Sequence, residues 1–334
     1  MRSMAEARQA FAALELTVGR RLPGVLHGGH EGTRLGPGSE PDEVVAYRPG
    51  EDDVRRIDWN VTARSTQPHV WRTRAEHELE TWVLLDETAS MDFGTVEVEK
   101  GELAAWVTGA VALLADGPGN RLGVAHLRDD GVAWSPAVPT RRAAFRAVAA
   151  GPTGPTSPAP AHRVPAGPTR PPASDLGQAM TALDRRHRRP GLRVVVSDFV
   201  DPDGATERPF AWEAPLRRLA ARHDVVVVEV LDPRELTLPD VGAVVLTDPE
   251  TGRRTEVWTG DARLRRDYAR LAADHRRAVA EAVRACGARH VTLATDRDWV
   301  VDLAAFLRRP SARGSRRVVP RRGGAGRARD GATR

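Results

Sequence analysis

Cysteine is almost missing from this chain, since Cys286 is the only one in 334 residues. A single cysteine excludes an intrachain disulfide, and such low usage is typical of proteins in a reducing compartment. Apolar runs long enough to span a bilayer are also missing, and the N-terminal residues do not form the apolar core of a signal peptide. We therefore expect a cytoplasmic protein that has no membrane span.

The motifs of several enzyme classes are missing as well. The sequence has no G-x-x-x-x-G-K-[ST] loop, so the chain is not itself a P-loop ATPase, and it has no G-x-S-x-G nucleophile elbow. Its histidines are not spaced as zinc ligands are. Cys286 lies at the end of a predicted helix and precedes Gly287, which is typical of a helix cap rather than of a catalytic nucleophile.

Lysine is the rarest charged residue, because Lys100 is the only one among 50 lysines and arginines. We attribute this bias to codon usage in a GC-rich genome. The net charge of +5 comes from residues 311–334, which contain eight arginines and one acid. We expect residues 310–334 to form a disordered tail. No aromatic residue separates its arginines, so the composition argues against nucleic-acid binding.

The remaining pattern divides the chain into three regions, of which the tail is the last. Residues 1–79 combine an N-terminal helix with turn signals and short strands, which predicts a small β-rich subdomain. Residues 80–309 alternate apolar runs with helical patterns, which predicts a doubly wound, mostly parallel α/β sheet with helices on both faces. The main predicted strands of that sheet are Thr81–Leu85, Leu192–Val196, Val225–Val230 and His290–Leu293.

Polar side chains follow two of these strands where they end. Asp86, Thr88 and Ser90 come after the first strand, and Asp198 comes after the second. Alternate residues of an extended loop point the same way, and the carboxyl ends of parallel strands form the ligand-binding edge of such a sheet. Ser174, at the start of a predicted helix, is its natural N-cap and adds a hydroxyl. Carboxylates and hydroxyls without His or Cys favour a hard cation, Mg²⁺ or Mn²⁺, although the same residue types also cap helices.

These side chains resemble a known metal site. Asp86-Glu87-Thr88-Ala89-Ser90, Ser174 and Asp198 are similar to the metal-ion-dependent adhesion site of von Willebrand factor type A domains. That pattern is D-x-S-x-S, then a Thr before a helix, then an Asp after a later strand. Thr88 stands where the pattern has Ser, and Ser174 stands where it has Thr, so both hydroxyls are kept. The resemblance implies an ion with one position left for a carboxylate of a partner.

The segment before this site carries a second resemblance. Tyr47-Arg48-Pro49-Gly50-Glu51-Asp52-Asp53 and Arg55-Arg56-Ile57-Asp58-Trp59 are similar to the signature of the bacterial domain of unknown function 58 family. Members of that family carry a type A-like domain behind the signature, and the resemblance covers about residues 20–309. It implies a MoxR-type AAA+ ATPase as partner and a role in the assembly or maturation of an unknown client protein.

The signature segment allows two interpretations. Its acids and arginines can form a charge network that Ile57 and Trp59 anchor in apolar surroundings, which would fasten the β-rich subdomain to the α/β domain. The alternative is a surface on which a partner docks.

Two functions from different classes remain. The first is a divalent-cation-dependent protein-interaction module that is not an enzyme and acts with a AAA+ ATPase. The second is a metal-dependent hydrolase, for instance of phosphate esters, in which Asp86 is nucleophile as well as ligand. Against the hydrolase, Thr88 stands where an aspartyl phosphatase would need a second acid. No lysine is available to neutralise a phosphate either, since Lys100 is the only one in the chain. We therefore favour the interaction module.

Overall fold

The computed structural model describes residues 4–21, 41–49, 53–73, 79–95, 98–150, 175–201, 203–247 and 254–309. The predicted tail at residues 310–334 lies outside these ranges. Among the described residues up to position 79, the secondary structure consists of a long helix, a short helix, one 3-10 helix and two antiparallel strands. These elements are α1 (Met4–Arg21), β1 (Pro41–Ala46), α2 (Trp59–Thr62) and β2 (His69–Thr73), with a 3-10 helix at Val54–Arg56.

The rest of the described chain alternates strands and helices. The strands are β3 (Glu80–Asp86), β4 (Arg121–Arg128), β5 (Gly131–Pro139), β6 (Leu192–Ser197), β7 (Asp224–Leu231), β8 (Ala243–Thr247), β9 (Arg254–Trp258) and β10 (Arg289–Ala294). The helices are α3 (Lys100–Leu114), α4 (Thr140–Ala150), α5 (Leu176–Arg186), α6 (Glu213–Arg222), α7 (Pro233–Leu236), α8 (Ala262–Ala285) and α9 (Trp299–Leu307). None of the described helices is both long and apolar enough to cross a membrane.

Six strands form the central sheet in the spatial order β10-β7-β6-β3-β4-β5. Every neighbouring pair is parallel except β4 and β5, which form an antiparallel hairpin around Asp129-Asp130-Gly131. The prediction of a mostly parallel α/β sheet is therefore confirmed. Strands β3 and β6 are direct neighbours that run the same way, so the residues after Asp86 and after Ser197 emerge at one edge of the sheet.

Helices cover both faces of the sheet, as predicted. Alternate residues of β3 explain why: Val83 and Leu85 enter one apolar core, and Trp82 and Leu84 enter the other. Helices α1, α3, α4 and α9 pack on the first face, and α5, α6 and α8 pack on the second. With side chains buried on both sides, β3 and β6 need near-continuous apolar sequence, and this is the signal by which they were predicted.

Helix α1 packs against the α/β layers although it belongs to the N-terminal region of the sequence. Leu14 and Val18 are buried in the same core as α3 and α4, and Phe11 meets Phe145 edge-on with ring centroids 5.7 Å apart. The carboxylate of Glu15 also pairs with Arg141 of α4. The helix therefore completes one helical layer of the α/β domain.

The signature segment is held to β2 by its backbone, and Asp58 caps its short helix. Asp58 Oδ1 accepts hydrogen bonds from Asn60 N at 2.8 Å and Val61 N at 3.1 Å, and so caps α2. The Asp58 amide donates to the carbonyl of His69 in β2 at 2.8 Å. The prediction that Trp59 lies in apolar surroundings is wrong, because α2 is a single turn that leaves 71% of this residue exposed.

Candidate cation site at the carboxyl edge of the sheet

Asp86 is the last residue of β3, and its carboxylate accepts hydrogen bonds from two hydroxyl-bearing side chains, with a third hydroxyl beside one of them. Its Oδ1 accepts hydrogen bonds from the amide of Thr88 at 3.1 Å and from Thr88 Oγ1 at 2.7 Å. Its Oδ2 accepts a bond from Ser197 Oγ at 2.6 Å. Ser90 Oγ lies 3.2 Å from Thr88 Oγ1. Asp86, Thr88 and Ser90 are all buried, so they form one enclosed group of oxygens.

These residues converge for a different reason than the sequence suggested. We expected an extended loop, in which alternate side chains point the same way. Instead, the chain turns at once, with Thr88 preceding a 3-10 helix over Ala89–Asp92. The hydrogen bonds from Thr88 to the Asp86 carboxylate close this turn, and the turn then brings Ser90 beside Thr88. The skipped residue, Glu87, instead bonds to His126 and Arg128 on β4.

Asp198 follows β6 and is fully buried. Its Oδ1 accepts a bond from the amide of Val200 at 3.1 Å, and its Oδ2 accepts one from Lys100 Nζ at 2.8 Å. The next residue, Phe199, has φ of +56°, a left-handed conformation that is strained for a side chain of this size. Its ring packs edge-on against Trp212 with centroids 5.1 Å apart. This packing holds the strained turn and so fixes the position of the Asp198 carboxylate.

Lys100 is the first residue of α3, and its side chain has 0% exposure. Its ammonium lies between the carboxylates of Asp198 and Glu235 and donates a hydrogen bond to each. Burial alone would lower the pKa of Lys100, but the negative charges of Asp198 and Glu235 outweigh it and raise that pKa. The lysine is therefore a permanent internal cation at the edge of the candidate site.

Asp232, after β7, connects the segments that follow β3 and β10 at this edge of the sheet by hydrogen bonds. Its carboxylate accepts bonds from the Thr95 amide at 2.9 Å, from Thr95 Oγ1 at 2.5 Å and from Thr295 Oγ1 at 3.0 Å. It also caps α7 by accepting from the Arg234 amide at 2.9 Å, while Glu235 Oε2 accepts from the Asp232 amide at 3.1 Å. Burial would raise the pKa of Asp232, but the hydrogen bonds, those from Thr95 first, lower it. Segments after β3, β7 and β10 thus share one buried carboxylate.

Asp86 lies in an electrostatic environment that opposes its charge. Burial, and then the negative charge of Asp198, raise the pKa of Asp86 to about 6 against the opposing effect of its hydrogen bonds from Ser197 and Thr88. Lys100 contacts Asp198 and not Asp86. A further positive charge beside the two aspartates would therefore relieve their repulsion.

The chemistry of these donors fits a hard divalent cation. Among the described residues, no group of three or more acids, histidines or cysteines could hold a metal ion, so a cation here needs hydroxyl ligands. The side chains that would hold it are Asp86, Thr88, Ser90 and Asp198, whose oxygens suit Mg²⁺ or Mn²⁺. The fifth candidate, Ser174, lies outside the described residues, and its part in the site stays a prediction.

The predicted N-cap of α5 is wrong. Ser174 was expected to cap this helix, but the N-cap is Asp175, whose Oδ1 accepts a hydrogen bond from the Gln178 amide at 2.5 Å. Aspartate and serine are equally good caps, so the sequence alone could not choose between neighbours.

Sequence reasoning missed three residues of this site: Lys100, Ser197 and Glu235. The sequence suggested only that a single lysine is insufficient to neutralise a phosphate, yet the Lys100 ammonium lies inside the site. Its signal was available, because a single lysine in an arginine-rich chain marks a position where a compact, flexible ammonium is needed. Ser197 and Glu235 carry no such signal, since their roles depend on which strand ends are neighbours in space.

A second buried acid with a raised pKa lies on the loop after Asp198. Asp201 is 6% exposed, and its Oδ2 has no hydrogen-bond partner among the described residues. Burial, followed by the charges of Asp203 and Asp175, raises the pKa of Asp201 to about 6 from an ordinary value of 3.8. Because the folded state holds this proton more tightly, the associated stability is present at about pH 4 and is lost as the pH rises through about 6.

We therefore expect Asp201→Asn to raise the free energy of unfolding at pH 7.5 by about 2–3 kcal/mol and to change it little at about pH 4. Urea unfolding at both pH values measures this difference. Asp130→Asn, an exposed acid in the β4–β5 turn, is the matched control and should have no such pH-dependent effect. Equal or lower stability of Asp201→Asn at pH 7.5 would contradict the assignment.

Known proteins are similar to this chain over most of its length. The family model described as "protein of unknown function DUF58" matches residues 43–278. An uncharacterised protein of Mycobacterium tuberculosis is 46% identical over 298 residues, which cover 89% of this chain and 88% of that protein.

Among solved structures, BatB, a conserved hypothetical protein from Bacteroides thetaiotaomicron, is 12% identical with a TM-score of 0.39 over 69% of this chain and 97% of that one. The SpRpn10 VWA domain is 13% identical with a TM-score of 0.31 over 68% of this chain and 94% of that one. These structural scores are low, so the structural similarities carry no further conclusion.

Proposed function

The chain belongs to the DUF58 family of proteins of unknown function, and from this premise we propose that it is a divalent-cation-dependent protein-interaction module. We further propose that it acts with a MoxR-type AAA+ ATPase in the assembly or maturation of a client protein. The family membership confirms the resemblance of the signature segment. The single observation that carries the proposal is the enclosed oxygen cluster of Asp86, Thr88 and Ser90 beside the buried charge of Asp198.

Each side chain of the cluster has a distinct part in recognition. The Asp86 carboxylate orients the Thr88 hydroxyl, and the Ser197 hydroxyl orients that carboxylate in turn. The strained turn at Phe199 keeps Asp198 facing the same region. A bound Mg²⁺ or Mn²⁺ would supply the positive charge that attracts a carboxylate of the partner. The module would then bind an acidic side chain, and the ATPase would supply the work.

The position of Lys100 also bears on the hydrolase alternative. The structure places this lysine at the site, although the sequence alone indicated that no lysine was available for a phosphate. However, its ammonium is fully buried and is shared between Asp198 and Glu235. A phosphate ester would have to displace one of these carboxylates before it could use that charge. We therefore keep the interaction module as the proposed function.

The test uses complex formation with the MoxR-type ATPase of the same organism. Because such an ATPase needs Mg²⁺ for its nucleotide, chelation cannot separate its requirement from that of this chain. The wild type and Asp86→Asn are therefore compared at constant Mg²⁺ and nucleotide, with Asp130→Asn as the control. We expect Asp86→Asn to weaken the complex at least tenfold and Asp130→Asn to leave it unchanged. Equal affinity of all three proteins would contradict the proposal.

The signature segment offers the proposed module a second candidate surface, because it exposes two large apolar side chains. Trp59 is 71% exposed and Val54 is 59% exposed, and tryptophan is the residue that contributes most often to binding hot spots. This exposure favours the docking interpretation of the signature over the anchoring one.

We expect Trp59→Ala to change the free energy of unfolding by less than about 0.5 kcal/mol, because little of the side chain is buried. The same variant should weaken the complex with the ATPase about tenfold or more. Thermal melting and complex titration measure the two effects. Trp258→Ala is the matched control, since this tryptophan is 65% exposed on β9. Lower stability with an unchanged complex would return the segment to a structural role.

A further inference from the structure

Lys100 has an unusual position for a lysine beside a candidate cation site. Its side chain has 0% exposure, and it spans two acids that come from different strand ends, Asp198 after β6 and Glu235 in α7. Its Nζ lies 2.8 Å from Asp198 Oδ2. The candidate site has two carboxylates for a divalent ion, those of Asp86 and Asp198. The Lys100 ammonium already bonds to one oxygen of Asp198.

We propose that the Lys100 ammonium is an internal competitor that sets the affinity of the site for divalent cations, and that Glu235 determines how strongly it competes. This inference rests on the proposed function, because it concerns regulation of the same site. Two positive charges that share one buried carboxylate repel each other, and this repulsion is weakly screened inside a protein. A bound cation therefore requires Lys100 to shift its charge away from Asp198 and toward Glu235.

The surroundings of Glu235 equip it for this part. Its Oε2 accepts the Asp232 amide in the capping box of α7, and the hydroxyl of Tyr268 on α8 donates to its carbonyl oxygen. The carboxylate is thus held in place to receive the ammonium. Its side chain is 28% exposed, whereas that of Asp198 is 1% exposed, so Glu235 is the solvent-facing end of the bridge. Loss of the Glu235 charge would leave Asp198 as the only counter-charge of Lys100. Lys100 would then compete more strongly with a divalent ion for Asp198.

A purely structural role for Lys100 predicts a different pattern. If the lysine only held Asp198 and Glu235 in place, removing either end of the bridge would loosen the site, and both changes would weaken cation binding. Competition predicts opposite directions. Lys100→Gln removes the positive charge but keeps an N–H donor at this position, so it should tighten binding. Glu235→Gln removes the counter-charge and should weaken it.

The experiment is titration calorimetry with Mg²⁺ and Mn²⁺ on the full chain, with circular dichroism to verify folding. We expect Lys100→Gln to bind at least tenfold more tightly than the wild type and Glu235→Gln at least threefold more weakly. Glu256→Gln, an exposed acid on β9, controls for the change in net charge and should have no effect.

Each outcome decides between the two ideas. Tighter binding by Lys100→Gln than by the wild type supports competition. If only Lys100→Gln binds, the lysine prevents binding in the wild type, so competition stands and the proposed function fails for the wild type. Binding by the wild type with equal or weaker binding by Lys100→Gln overturns the competition and leaves the proposed function standing. Binding by neither protein overturns both. If Lys100→Gln does not fold, Glu235→Gln decides, since unchanged or tighter binding there overturns the competition.

Discussion

Asp198→Ala is expected to lower the free energy of unfolding by about 3–5 kcal/mol, because it removes one partner of a buried ion pair and leaves the other charge in the interior. The Lys100 side chain has 0% exposure, and without Asp198 its ammonium would have only Glu235. The substitution also removes the acceptor for the Val200 amide in the strained turn. The sequence alone gives a different expectation, since a ligand on a loop rim should be dispensable for folding.

Urea unfolding of the wild type and Asp198→Ala at pH 7.5 measures this loss. Asp203→Ala is a suitable control, because it lies on the same loop but is exposed, and its effect should stay within about 1 kcal/mol. A double-mutant cycle with Lys100→Gln would show that the loss comes from the pair. A loss below about 1 kcal/mol for Asp198→Ala would mean that the ammonium is not held as described.

Asp86→Asn is expected to abolish cation binding while raising the stability of the cation-free protein at pH 7.5 by about 1–3 kcal/mol. The reason is the pKa of Asp86, which burial and the charge of Asp198 raise to about 6 from 3.8. A carboxyl with a raised folded-state pKa contributes stability at about pH 4 that is lost as the pH rises through about 6. The amide removes this repulsion, and its oxygen can still accept the bonds from Thr88.

Thermal or urea unfolding without added cation, at about pH 4.5 and at pH 7.5, checks the sign of this effect. The advantage of Asp86→Asn should be largest at the higher pH and should shrink at the lower one. Saturating Mg²⁺ should then stabilise the wild type and not the variant, because only a protein that binds the ion gains from mass action. A variant less stable than the wild type at pH 7.5 without cation would show that the carboxylate is needed for the fold.

Asp198 and Asp86 therefore have different roles, the first in stability and the second in cation binding, although the two residues look alike in the sequence. Each follows an apolar strand of the same parallel sheet, and the sequence was sufficient to predict both strands and the edge at which they end. It was sufficient because strands buried on both faces require nearly continuous apolar residues. The hydrogen bonds from Lys100 to Asp198 and from Ser197 to Asp86 could not be predicted, because they depend on which elements are neighbours in space.

The exposure of Trp59 in the signature segment could not be predicted from the sequence. The residue types of this segment indicated a turn and a charge network, and the capping role of Asp58 follows from local chemistry. Whether Trp59 packs inward or faces solvent depends on what lies beside a single helical turn, and composition carries no information about that. An exposed tryptophan is recognised only from a structure, and here its exposure favours the docking interpretation over the anchoring one.

Titration calorimetry of the wild type and Asp86→Asn with Mg²⁺ and Mn²⁺ tests the central claim most directly. The account predicts one divalent ion per wild-type chain, with binding that strengthens from about pH 5 to pH 7.5 as Asp86 ionises, and no binding to the variant. Equal heats for the two proteins, or no ion bound to the wild type at pH 7.5, would contradict a cation site built from Asp86, Thr88, Ser90 and Asp198.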